Sequence, residues 1–147
     1  MAGPGVRASD GPIVVGVDGS VTAERAVEWG AREALARGSR LVVLHAPVFR
    51  PEFEHIYPQT EGIEHQILDA AVGKARSLTH GTPVEVEGVL GEPPAAAALI
   101  RASRTAEMVV VGARGEGGWP DLRLGSVSLE VVRHAHCPVL VVPRTRS

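Results

Sequence analysis

Val109-Val110-Val111-Gly112-Ala113-Arg114-Gly115 runs from a β-branched stretch into a pair of glycines, and Gly125-Ser126 then opens a helical pattern. Glycines let a backbone approach a ligand closely, and a helix N-terminus offers unpaired amides and the positive end of the helix dipole. Together they predict a cradle for anions, phosphate above all, at the end of a strand. The alternative is a flexible surface loop, extended by Gly117 and Gly118. Gly-Lys-Ser/Thr is missing, so this is not a Walker A loop, and the first strand does not run into Gly-x-Gly-x-x-Gly. Arg114 could pair with a terminal phosphate through its guanidinium fork, or lie in solvent.

Asp18-Gly19-Ser20 follows the first β-branched run and precedes the first helical pattern. Asp18 in that place could accept hydrogen bonds from a ribose hydroxyl, or help hold a metal beside phosphates. The plainer alternative is a turn with Ser20 or Thr22 capping the helix. His134, His136 and Cys137 form a metal-like cluster on paper. Their place after a helix and before a strand points instead to a helix C-terminal cation and a buried thiol, with no matching ligand pair elsewhere. Phe49, Phe53 and Tyr57 could cover a ligand or close an apolar edge, and Trp119-Pro120 could form a flap or an exposed tip. His45 could point into the site or into the helix layer.

The elements that would position these residues alternate strictly. Strands are expected at Ile13–Val17, Leu41–Ala46, across Val84, Val86 and Val89, at Met108–Val111 and at Val139–Val142. The first helix carries a stripe of Ala23, Ala26, Val27, Gly30, Ala31, Ala34 and Leu35, stopped by Gly38. Ile63, Ile67, Ala70, Ala71, Ala75 and Leu78 mark the second, ending near Gly81. A third follows Pro93-Pro94 to about Arg104, and the fourth spans Ser126–His134. Glu85 and Glu87 place the third strand near a sheet edge, and the very apolar fourth strand is expected to be central. This order predicts an α/β fold: one open parallel five-stranded sheet with helices on both faces, Rossmann-like, in the order 3-2-1-4-5. In such sheets ligands bind at the carboxyl ends of strands, where the order reverses.

The 147 residues are expected to form one domain over 12–143, with a disordered lead over 1–11 and a short tail over 144–147. Hydrophobic residues make up 44% and aromatics 3%, so the core must be aliphatic. A formal charge of −2 gives no global field for nucleic acid or an anionic membrane. One cysteine excludes an intrachain disulfide and suits a reducing cytoplasm, and no apolar run approaches the ~18 residues of a membrane span.

The chain resembles the universal stress protein family from about Ile13 to Val142. Its ATP-binding members carry Gly-x2-Gly-x9-Gly-Ser/Thr, matched here by Gly112, Gly115, Gly125 and Ser126. The flanks agree: Val15-Gly16-Val17-Asp18-Gly19-Ser20, Gly91-Glu92-Pro93, Ser126-Val127-Ser128, and His136-Cys137-Pro138-Val139. The resemblance implies an adenine-nucleotide site holding ATP with Mg2+ (or Mn2+). Asp18 would sit by the ribose and the metal, Gly16 and Val17 would line the first loop, and Ala46 would read the adenine edge through its backbone. Val111 would pack on the base, and Gly112 would lie against the ribose. Gly115, Gly125, Ser126 and Val127 would bind phosphates. It also implies a homodimer through the last strand, Val139, Leu140, Val141 and Val142.

Three functions remain open at this level. One is a nucleotide-dependent regulatory or stress-response module. Another is a slow ATPase or self-phosphorylating enzyme, with Ser126 or Ser128 as phosphate acceptor. The last is a cyclic AMP binder or a nucleotide-free dimeric scaffold. Phosphoryl transfer needs a positioned nucleophile, metal ligands and cations on the developing charge. Asp18 and Arg114 are present, but the phosphate loop has no lysine and no evident base. Binding is favoured, with any hydrolysis slow.

Overall fold

Short, continuously apolar strands need cover on both faces, and helices supply it on both sides of one sheet. The computed structural model describes residues 10–47, 60–113 and 124–144. In chain order the elements are β1 (Ile13–Gly16), α1 (Val21–Arg37), β2 (Leu41–His45), α2 (Thr60–Leu78) and β3 (Val86–Leu90). Then come α3 (Ala95–Ala102), β4 (Met108–Gly112), α4 (Ser126–His134) and β5 (Val139–Val142). All pairings are parallel, in the order β3-β2-β1-β4-β5. The predicted fold class and strand order are those observed. The middle strand, however, is β1; β4 lies one place away, between β1 and β5, where it is still covered on both sides. β3 is an edge strand, with Glu85 and Glu87 exposed.

The two faces have separate cores. Ile13, Val15, Leu41, Val43 and Val110 pack against Ala26, Val27, Ala31 and Ala34 of α1 and Leu68, Val72 and Ala75 of α2. Val14, Val42, Leu44, Val109 and Val111 pack against Ala98 and Leu99 of α3 and Val131 of α4. The alternation along each strand divides the side chains between these clusters. Helices α1 and α2 therefore share one face, and α3 and α4 the other.

Helix α1 begins at Ser20, whose Oγ accepts from the Ala23 N–H at 3.2 Å, and ends at Gly38 in the left-handed conformation. Its buried stripe follows the sequence pattern up to Ala34, but Leu35 is exposed. Ala34 takes the core-facing position, and the next residue is turned about 100° away. β3 begins at Val86 rather than Val84, because its pairing with β2 starts at Leu41 opposite Val86.

Small residues let α1 lie close to the sheet. A Cβ on Gly30 would overlap Cγ2 of Val15 in the centre of β1. Gly30→Ala is thus expected to destabilise the fold even though alanine is the better helix former by roughly 1 kcal/mol. Overpacking of this kind costs about 1–3 kcal/mol, so a lower urea midpoint with an unchanged m-value is expected. A midpoint at or above that of the parent chain would contradict this close packing.

Candidate functional site

The helix that follows β1 leaves toward one face, and the helix that follows β4 leaves toward the other. Their strand ends therefore part at the carboxyl edge and leave a crevice. A cleft of about 260 Å³ opens there. It is lined by Gly16, Val17 and Asp18 after β1, Ala46 after β2, Val111 and Gly112 at the end of β4, and Gly125, Ser126 and Val127 at the start of α4. These are all the sequence-derived site residues that lie among the described ones. Arg114 and Gly115 lie outside them, as do Phe49, Phe53, Tyr57, Trp119 and Pro120.

Ser20, Ala23, Leu44, Ala95, Leu99 and Ser128 line the cleft as well. Of these, sequence reasoning connected only Ser128 with the site, as a candidate phosphate acceptor, although signals existed for some of the others. Leu44 and Ala46 are two apart on one strand face, and Ala95 and Leu99 are four apart on one helix face. Spacing alone does not say which end of an element meets the crevice.

Two strand–helix junctions flank the cleft, and their hydrogen bonding differs. At the first, Asp18 Oδ1 accepts from the Ser20 N–H at 2.9 Å, while Ser20 Oγ caps α1. The turn-and-cap arrangement is present, and it takes up the Ser20 and Ala23 N–H groups at the α1 N-terminus. Asp18 remains exposed, and its other carboxylate oxygen has no protein partner among the described residues. An exposed carboxylate with one unused oxygen is a hard donor that fits a divalent cation.

At the second junction Gly125 is the N-cap of α4 and brings no side chain to its amides. The Gly125 N–H donates to the Ala113 carbonyl at 2.7 Å, and the Ser128 hydroxyl donates to the same carbonyl at 2.8 Å. The Ala113 N–H is held by the Val142 carbonyl at 2.8 Å. These bonds bring Gly112-Ala113 and Gly125-Ser126 together at a fixed neck. Ser128 is buried and its hydroxyl is committed, whereas Ser126 is exposed and its hydroxyl is bonded to nothing among the described residues. The first turn of α4 therefore presents unpaired amides, a dipole and a free hydroxyl at the cleft, a combination suited to anions.

Gly112, expected to lie against the ribose, has a second reason to be glycine: a Cβ there would lie 2.7 Å from Cγ2 of Thr22 on α1. Packing of α1 on β4 already demands a glycine at this position. Gly16 is different: its Cβ would meet Leu99 Cδ1 at 2.8 Å, inside the lining of the cleft.

His45 points into the helix layer: its ring bonds the Val17 carbonyl on one side and Glu64 of α2 on the other. His134 lies at the C-terminal end of α4, 3.6 Å from Glu130 of the same helix. Cys137 is half-buried, its Sγ directed at the Pro138 carbonyl at 3.4 Å. Among the described residues no group of three or more His, Cys, Asp or Glu is placed to hold a metal ion. None of the described helices is long and apolar enough to cross a membrane. Burial pushes the Cys137 thiol above its ordinary range, and the thiolate is the reactive form. Iodoacetamide should accordingly label Cys137 several-fold more slowly in the native protein at pH 8 than in the urea-unfolded chain. Equal rates would show that the thiol is neither shielded nor shifted.

A family model described as the universal stress protein family matches residues 11–143. A universal stress protein of Mycobacterium tuberculosis is 39% identical over 141 residues, covering 88% of this chain but 46% of the relative. The chain thus spans about half the length of the curated relatives it matches. A universal stress protein solved in complex with cAMP is 26% identical, with a TM-score of 0.70 over 90% of this chain and 96% of the other. The universal stress protein from Archaeoglobus fulgidus, solved in complex with dAMP, is 27% identical, with a TM-score of 0.67 over 90% and 97%.

Proposed function

The chain belongs to the universal stress protein family, and on that premise we propose that it is a regulatory module that binds ATP with Mg2+ (or Mn2+). The difference between the two helix N-termini at the cleft carries this reading. At α1, side chains already take the Ser20 and Ala23 N–H groups and place the Asp18 carboxylate beside the turn. By contrast, α4 meets the cleft with no side-chain cap, its first-turn amides and the Ser126 hydroxyl free. The phosphates belong at Gly125, Ser126 and Val127. The adenosine end belongs across Val17, Ala46 and Val111, where the lining is apolar and backbone groups border it. That related proteins were solved with cAMP and dAMP supports an adenine nucleotide as the ligand class.

Asp18 would hold the divalent ion beside the phosphates, and the ion would neutralise their charge. Two requirements of rapid phosphoryl transfer are missing among the described residues lining the cleft: a lysine and a second carboxylate. Nucleotide turnover is accordingly expected below about 1 per second, the low end of ordinary enzymes. A dimer through the outer edge of β5 (Val139, Leu140, Val141, Val142) would turn occupancy into an altered partner surface. Such an edge carries backbone groups able to pair with a second copy. Sedimentation velocity tests that part.

Ser126→Asp separates the site from the fold. A carboxylate in the first turn of α4 favours the helix dipole by about 0.3–1 kcal/mol, so stability should hold or rise. The same charge repels phosphate, and ATP–Mg2+ affinity should fall by about tenfold or more, a loss of at least 1.4 kcal/mol. Undiminished affinity in Ser126→Asp would place the phosphates elsewhere. One related structure contains cAMP, so a second reading is cyclic AMP as the physiological ligand. Calorimetry with both ligands decides: ATP–Mg2+ is expected to bind the tighter, and submicromolar cAMP with weak ATP would replace the ATP reading.

A further inference from the structure

Behind the floor of the cleft lies a buried polar arrangement that nucleotide contact does not explain. Along β2, Leu44 and the following Ala46 belong to the α3/α4 side and line the cleft, while Val43 belongs to the α1/α2 side. His45 shares the side of Val43 and is only 3% exposed. Its Nδ1 lies 2.7 Å from the Val17 carbonyl oxygen, and its Nε2 is bonded to Glu64 of α2. A carbonyl can only accept, so Nδ1 carries a hydrogen and donates it. The Val17 N–H in turn donates to the Leu44 carbonyl at 2.9 Å. Both backbone groups of Val17 are therefore tied to neighbouring residues of β2, although β1 has already ended at Gly16. The carbonyl of His45 itself accepts from the Gly91 N–H at 2.7 Å, which fixes the histidine against the start of the α3 connection.

A buried imidazole is costly unless both ring nitrogens are satisfied, and an aliphatic residue would fill the same space without that cost. The use of histidine here is to reach past the end of the β1–β2 ladder and hold one more peptide group. That group lies at the entry to Asp18 and forms part of the cleft wall. We propose that His45 is a positioning residue for the bound nucleotide. Its Nδ1–H sets the Val17 carbonyl, and with it the Gly16-Val17-Asp18 backbone, at a fixed distance from Ala46, while Glu64 holds the ring in the required orientation. This rests on the nucleotide-binding reading above, and it assigns a role to two residues that do not themselves line the cleft.

Two amide substitutions test it. The amide nitrogen of asparagine falls near the place of Nδ1, so His45→Asn keeps the bond to Val17 and gives up Glu64. Glutamine reaches the place of Nε2, so His45→Gln keeps Glu64 and leaves the Val17 carbonyl without a donor. Both remove a buried ring, and both are expected to lower the melting temperature. Below the melting range, His45→Asn should bind ATP–Mg2+ within about threefold of the parent, while His45→Gln should lose about tenfold, as expected for one buried hydrogen bond. The Val17 and Ser20 amides are bonded to the Leu44 carbonyl and the Asp18 carboxylate. Their native-state hydrogen exchange, measured without nucleotide, should accelerate in His45→Gln and not in His45→Asn. Equal exchange in the two variants, or faster exchange in His45→Asn, overturns the positioning role whatever the ligand. Should the parent bind no adenine nucleotide, the nucleotide reading falls, and the proposal that His45 positions a nucleotide falls with it; the exchange pattern then reports separately whether His45 holds the loop.

Discussion

The pairing of β1 with β4 is the contact on which the rest of the molecule depends. Ile13, Val14 and Val15 stand opposite Met108, Val109 and Val110, and all but Met108 are buried. Each fully buried aliphatic side chain of this kind contributes about 1.5–3 kcal/mol relative to exposure. The same pairing joins segments distant in sequence and places the starts of the two diverging helices, α1 and α4, on either side of one crevice at the carboxyl edge. Without that adjacency, Asp18 and Ser126 would belong to unrelated loops.

Close packing then shapes the opening. Gly30 allows α1 to rest on Val15, and Gly112 allows Thr22 of the same helix to rest on the end of β4. The crevice wall on the α1 side is thus set by glycine-sized gaps in the sheet and the helix. Leu99, packed beside Gly16, closes the α3 side. A glycine in a ligand motif can therefore have its first reason in the core. Gly112 is such a residue, and its place in the cleft lining follows from the same geometry.

Polarity at the site is divided by element. The first junction takes up part of its own donors: Asp18 accepts from the Ser20 N–H in the turn, and Ser20 accepts from Ala23 in the α1 cap. The second leaves donors open, because Gly125 has no side chain and Ser128 is committed to Ala113 and Gly125. One side of the cleft is carboxylate and apolar wall; the other is amide and hydroxyl. Beneath both, His45 and Glu64 connect the Val17 peptide to α2, so the wall of the cleft is joined to the helix layer behind it.

The order of strands and helices, the fold class and the strand order could be read from this sequence, because burial on both faces imposes β-branched runs and helix stripes that are local patterns. The residue types at the two junctions were legible for the same reason, since glycine, aspartate and serine after a strand have few local uses. Other features depended on neighbours from distant segments. The stripe of α1 ends at Ala34 and not Leu35, and β3 starts at Val86, because in each case a packing partner selects the position. The orientation of His45, the commitment of Ser128 and the second reason for Gly112 all follow from groups that meet only when the chain is folded. Periodicity and turn chemistry are properties of a few consecutive residues, and they determined the elements. Which donor is already satisfied, and which glycine is already needed for packing, depends on contacts across the sheet, and only the tertiary structure decided those.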